Sequence, residues 1–127
     1  MNQKKKILLV DDIREFLCML KLMLARDFDV ITASNGREAM NMLGKGLRPD
    51  AIVTDLCMPE MDGYELITHV KEAEDFKKIP VIVLSNSDRN KDKEDALKKG
   101  VYTYIRKSFI PQEFRSELNY SLSAVFG

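Results

Sequence analysis

At 127 residues the chain has the length of one domain with a real core, able to bury roughly two thirds of the surface its unfolded form exposes, and a single domain is expected over residues 1–127. Lys and Arg number 20 and Asp and Glu number 20, which removes the electrostatic case for nucleic acid or an anionic membrane surface as a bulk partner. Behind the lysine-rich start only four apolar residues precede two aspartates, too few for a signal peptide or a membrane span, so a cytoplasmic protein is expected.

Short apolar runs alternate with stretches of helical period, which predicts repeated βαβ units and a parallel sheet covered on both faces. The first strand is predicted over residues 5–10 and the first helix over 13–26, with Phe16, Leu17, Leu20, Met23 and Leu24 on one stripe. A second strand over 29–32 leads to Asn35 and, three residues on, Glu38, the pattern of an N-cap and capping box for a helix that stops near Gly44. After Arg48-Pro49 the run Ala51 to Thr54 is the third strand, and a third helix over 63–74 carries Leu66, Ile67 and Val70 inward. Pro80 closes the connection to a fourth strand, Val81 to Leu84. A fourth helix over 90–99 ends at Gly100, a residue that tolerates left-handed geometry. The fifth strand is Tyr102 to Ile105; Pro111 then suits the first position of a last helix, whose Phe114, Leu118, Leu122 and Val125 recur at core spacing.

The ends of these strands carry the chemistry. Asp11 and Asp12 follow the first, Asp55 the third, Ser85 the fourth, and Lys107 stands just beyond the fifth. If the strands are parallel neighbours, their carboxyl ends bring three carboxylates, a hydroxyl and an ammonium into one crevice. An aspartate can attack phosphorus and carry the phosphoryl group as an acyl phosphate once the charge on both partners is neutralised. Magnesium suits that task, because it takes oxygen ligands and keeps several waters, so a few carboxylates and a backbone carbonyl are sufficient. Without a cation, three carboxylates this close repel, and at least one titrates upward.

The segments Lys6-Ile7-Leu8-Leu9-Val10-Asp11-Asp12, Asp55-Leu56-Cys57-Met58-Pro59-Glu60-Met61-Asp62-Gly63, Pro80-Val81-Ile82-Val83-Leu84-Ser85 and Tyr104-Ile105-Arg106-Lys107 closely resemble the receiver domain of bacterial two-component response regulators, in order and at that family's spacing. The resemblance implies a flavodoxin-like, doubly wound α/β fold with a five-stranded parallel sheet in the order 2-1-3-4-5. It implies that Asp55 accepts a phosphoryl group from the phosphohistidine of a sensor histidine kinase or phosphotransfer protein. Asp12 would ligate Mg2+ directly, Asp11 largely through water, Asp55 itself and the carbonyl of Cys57 completing the protein's set. Ser85 would bond one phosphoryl oxygen and Lys107 would pair with another, while Tyr104 is similar to the aromatic switch residue that turns inward as the hydroxyl moves. The surface of the fourth helix, fifth strand and fifth helix would then change for an effector protein. The implied role is a signalling switch rather than an enzyme, of the chemotaxis-type stand-alone kind if the chain has its natural length, with no direct contact to nucleic acid or membrane.

Two positions depart from the family pattern. Asn86 follows the switch hydroxyl where a small residue is usual, and Ser108 follows Lys107 where a cis proline usually aims the ammonium. A cis bond to serine costs about 3 to 4 kcal/mol against about 0.5 to 1 for proline, so a trans bond and a less firmly held Lys107 are expected. These departures support one rival, a receiver-like interaction module with impaired phosphorylation. A phosphatase of the haloacid dehalogenase type is disfavoured because it wants a second aspartate where Cys57 stands, and a nucleotide-binding module because no Gly-rich phosphate loop is present. Elsewhere the plain readings are preferred: His69 an exposed rim histidine, Cys18 a buried small apolar residue, Cys57 a loop residue without a redox role, and residues 88–99 a solvated helix face.

Overall fold

The structure, a computed structural model, describes residues 4–127 except Pro59, Asp88 and residues 108–110, and leaves out the side chains of Pro111, Glu113 and Phe114. The expectations attached to Ser108 and to the side chain of Phe114 lie outside the described residues. In chain order the elements are β1 (Lys5–Val10), α1 (Arg14–Leu24), β2 (Phe28–Ala33), α2 (Gly36–Gly44), β3 (Ala51–Thr54), α3 (Gly63–Glu72), β4 (Val81–Ser85), α4 (Asn90–Lys98), β5 (Thr103–Arg106) and α5 (Pro111–Phe126). The strands form one sheet in the order β2-β1-β3-β4-β5, every adjacent pair parallel. The expected flavodoxin-like topology is therefore observed.

Alternation along the strands sorts the core onto two faces. Ile7, Leu9, Val53, Ile82 and Leu84 point one way and meet Leu17, Leu20 and Leu24 of α1 and Leu118 and Leu122 of α5. Leu8, Val10, Ile52, Val81 and Val83 point the other way, against Ala39 and Leu43 of α2, Leu66, Ile67 and Val70 of α3, and Ala96 of α4. β3 and β4 are buried along their whole length, which is why they read as unbroken apolar runs. The helices contribute unequally. α4 buries only Ala96, so apolar packing holds it weakly and polar contacts must complete its attachment.

Local signals acted as chemistry requires. Asn35 caps α2 by accepting from the Glu38 amide at 2.8 Å, and Glu38 reaches back to the amide of Ser34 at 3.2 Å rather than to that of Asn35 itself. Gly100 takes φ +96° just past α4. α1 is shorter than the expected span 13–26, running Arg14–Leu24, and one expectation fails on it: Cys18 is exposed, not buried. Leu17 and Leu20 face the sheet, and a residue one step after Leu17 is turned about 100° away, toward solvent. His69 is exposed as expected. Among the described residues no helix is long and apolar enough to cross a membrane.

Candidate functional site

Strand order reverses at β1, which feeds β2 on one side and β3 on the other, and a crevice opens at the carboxyl ends of such neighbours. Three of the site residues there continue their strand's ladder by one more bond. The Asp11 amide donates to the Ala33 carbonyl at 3.1 Å, the Asp55 amide to that of Val10 at 3.0 Å, and the Lys107 amide to that of Ser85 at 2.8 Å. The backbone is thus fixed by the sheet up to the reacting residues, and only side chains remain to be arranged.

Asp11, Asp12 and Asp55 offer carboxylate oxygens that all lie within 4.8 Å of one another. Asp11 is buried and both its oxygens are engaged. Oδ1 accepts from the Ile13 amide at 2.9 Å, which pins the start of α1 in place of a side-chain cap on that helix, and Oδ2 accepts from the Lys107 ammonium at 2.7 Å. Asp12 is exposed. Asp55 is 8 % exposed; its Oδ1 accepts from the Leu56 amide at 2.8 Å. Its Oδ2 stands 3.7 Å from the Lys107 ammonium and accepts no hydrogen bond from the described residues. Since no buried side-chain oxygen among them lacks a partner, this second oxygen keeps contact with the open crevice.

Burial pushes the Asp55 carboxyl above its ordinary value, Lys107 pulls it back, and the neighbouring Asp11 pushes it up again, with the Leu56 amide lowering it and Asp12 raising it. One ammonium against three carboxylates leaves the crevice short of positive charge. Hard oxygen donors with an uncompensated negative charge are the donor set that Mg2+ prefers, so the residues fit such an ion. Cys57 lies in the loop after β3 and is exposed. Partial desolvation of the sulfur, followed by the charge of Asp55, raises its thiol, so the thiol stays protonated and only the carbonyl of this residue suits a hard cation.

Lys107 is closely surrounded by side chains of the crevice. Its side chain is 6 % exposed, and besides Asp11 and Asp55 the ammonium meets the face of the Phe16 ring, 4.2 Å from its centroid. Ser85, the last residue of β4, is buried, and its hydroxyl oxygen accepts from the Ser87 amide at 3.2 Å. Asn86 is exposed. Tyr104 on β5 is half-buried, and its hydroxyl donates to the Ser87 carbonyl at 2.9 Å.

Three features escaped the sequence reading. A Cβ on Gly63 would come 2.1 Å from the Asp55 carbonyl oxygen, so only glycine lets α3 begin against the Asp55 backbone; the Asp-Gly pair 62–63 was the available signal. Phe16 was read as core stripe alone. Asp92, read as part of a solvated face, accepts from the Tyr64 hydroxyl at 2.9 Å and from the Ser87 hydroxyl in a very short bond. Contacts between residues 28 positions apart have no signature in sequence spacing.

With this geometry in place, the comparison with known proteins decides the family. The model of the response regulator receiver domain matches residues 7–119. The chain belongs to the response regulator receiver family. It is 36 % identical over 115 residues to the chemotaxis protein CheY1 of Helicobacter pylori, a match covering 89 % of this chain and 93 % of that one. It is 34 % identical over 114 residues to histidine kinase P4 of Formosa agariphila, where 90 % of this receiver spans only 8 % of the longer protein. Among solved structures, that of the phosphorylated cyanobacterial phytochrome response regulator RcpA superposes with a TM-score of 0.85 at 31 % identity, covering 93 % of this chain and 91 % of that one. Receiver domains act as switches in two-component signalling, opposite histidine kinases or phosphotransfer proteins.

Proposed function

We propose that this receiver is a phosphorylation-dependent switch in which Asp55 takes a phosphoryl group from the phosphohistidine of a sensor kinase or phosphotransfer protein. The observation that carries the reading is the division of labour at Asp55: Oδ1 is tied to the Leu56 amide while Oδ2 faces the crevice beside an ammonium. Oδ2 is the nucleophile. As its bond to phosphorus forms, the phosphorus–nitrogen bond to the donor imidazole breaks and the leaving imidazole keeps the bonding pair. Asp11, Asp12, Asp55 and the Cys57 carbonyl would hold Mg2+, which supplies charge neutralisation at the phosphoryl oxygens. Lys107 stands between Asp11 and Asp55, so its ammonium can follow negative charge as it builds over Asp55. The Ser85 hydroxyl donates to a phosphoryl oxygen. Movement of Ser85 loosens its bond with the Ser87 amide, and Ser87 is where Tyr104 and Asp92 are attached. The face made by α4, β5 and α5 changes in consequence, for an effector protein.

Incubation with a small phosphoramidate donor and Mg2+ should add one phosphoryl group to the intact mass, and Asp55→Asn should abolish the gain. An undiminished gain in that variant overturns the assignment of Asp55. The second reading, an interaction module with impaired phosphorylation, draws on Asn86 and Ser108; a parent that gains no mass under these conditions would favour it.

A further inference from the structure

We infer that Phe16 is a positioning residue for phosphoryl transfer, holding the Lys107 ammonium over the carboxylate crevice. The inference rests on the phosphoryl-transfer reading and adds to it a residue outside the acidic cluster. A nearly buried ammonium has lost most of its hydration, and the loss must be offset by groups fixed around it. Asp11 Oδ2 at 2.7 Å supplies one. The ring of Phe16 supplies another, since its centroid lies 4.2 Å from the nitrogen and the face of an aromatic ring attracts a desolvated cation.

The three residues form one unit. Asp11 Oδ1 takes the Ile13 amide and so sets where α1 starts; Phe16 falls on the first turn of that helix, which begins at Arg14. The carboxylate that receives the ammonium therefore also fixes the ring that backs it. This arrangement places the ammonium between Asp11 and Asp55 through contacts made by α1 and the acidic crevice. A leucine at position 16 would fill similar space on the same helix face but offer no negative face to the cation.

The test replaces Phe16 with fluorinated phenylalanines, which drain the ring face of electron density at nearly constant shape, and with Leu and Trp. Two readouts are used: the side-chain carbon-13 and proton shifts of Lys107, and the rate of phosphorylation by phosphoramidate with saturating Mg2+. The Lys107 methylene next to the nitrogen should be shielded by ring current in the parent and lose that shielding in Phe16→Leu. The rate should fall stepwise with each added fluorine, by roughly tenfold overall in Phe16→Leu as befits loss of a desolvated cation–ring contact, with Phe16→Trp near the parent. Melting temperatures across the fluorinated series should stay level. A Lys107 shift indifferent to residue 16, or a phosphorylation rate flat across the series, overturns the role of Phe16 alone. A parent that takes up no phosphoryl group overturns the phosphoryl-transfer reading instead, and the Lys107 shifts then decide by themselves whether Phe16 holds the cation.

Discussion

At the scale of single residues the site is in tension with the fold. Asp55 is buried beside two further carboxylates, and burial is the largest influence on it, larger than the relief from Lys107. The folded chain binds a proton at Asp55 at higher pH than the unfolded chain, whose carboxyl keeps its ordinary value near 3.8. Its charged form thus costs stability above the folded pKa, and that cost fades as pH falls through the folded pKa toward the ordinary value. Asp55→Asn removes the charge and keeps the acceptor for the Leu56 amide. In metal-free buffer at neutral pH it should raise the unfolding free energy by roughly 0.5 to 2 kcal/mol, the usual scale when a functional strain is removed. Urea unfolding of both proteins checks this, and the advantage should shrink toward acid. A variant less stable than the parent at neutral pH would mean that attraction to Lys107 outweighs burial.

Among the elements, α4 is the one held least by apolar packing. Its single buried residue is Ala96, whereas α3 buries Leu66, Ile67 and Val70. Its attachment passes through Asp92, which the Ser87 and Tyr64 hydroxyls hold below the ordinary carboxylate range. A depressed carboxyl contributes stability above its unfolded pKa and loses it as pH falls through the folded one, so α4 should loosen in acid. Asp92→Ala should do the same at neutral pH: amides of α4 exchange several-fold faster with deuterium while those of α1 and α2 keep the parent's protection. Uniform acceleration across all helices would instead mark Asp92 as a general stability residue. The same element shows where sequence reading stops. Its span and its closing glycine follow from composition and turn chemistry, but the polar anchor needs Tyr64 of α3, Ser87 and Asp92 to meet in space.

For the molecule as a whole, the sheet order came from the resemblance to receiver domains, whereas the gathering of Asp11, Asp12, Asp55 and Lys107 at one edge was legible once the strands are parallel neighbours, because ladder register then fixes their strand-end positions. The exposure of Cys18 was not, since a lone small residue beside an apolar stripe does not reveal on which side of the stripe it falls. Nor was the share that Phe16 takes in seating Lys107 beside Asp11, since that ring lies 91 positions earlier in the chain. The chain from Ser85 through Ser87 to Asp92 and Tyr104 makes the acidic crevice and the α4–β5 face parts of one connected structure. That connection is the central claim, and amide NMR of the intact protein with Mg2+, before and after addition of phosphoramidate, tests it most directly. Phosphorylation of Asp55 should shift the amides around Asp55 and Ser85 together with those of α4 and of β5 near Tyr104, and leave α2 in place, with no shifts in Asp55→Asn. Shifts confined to the loops around Asp55, with α4 and β5 unmoved in a fully phosphorylated sample, would contradict it.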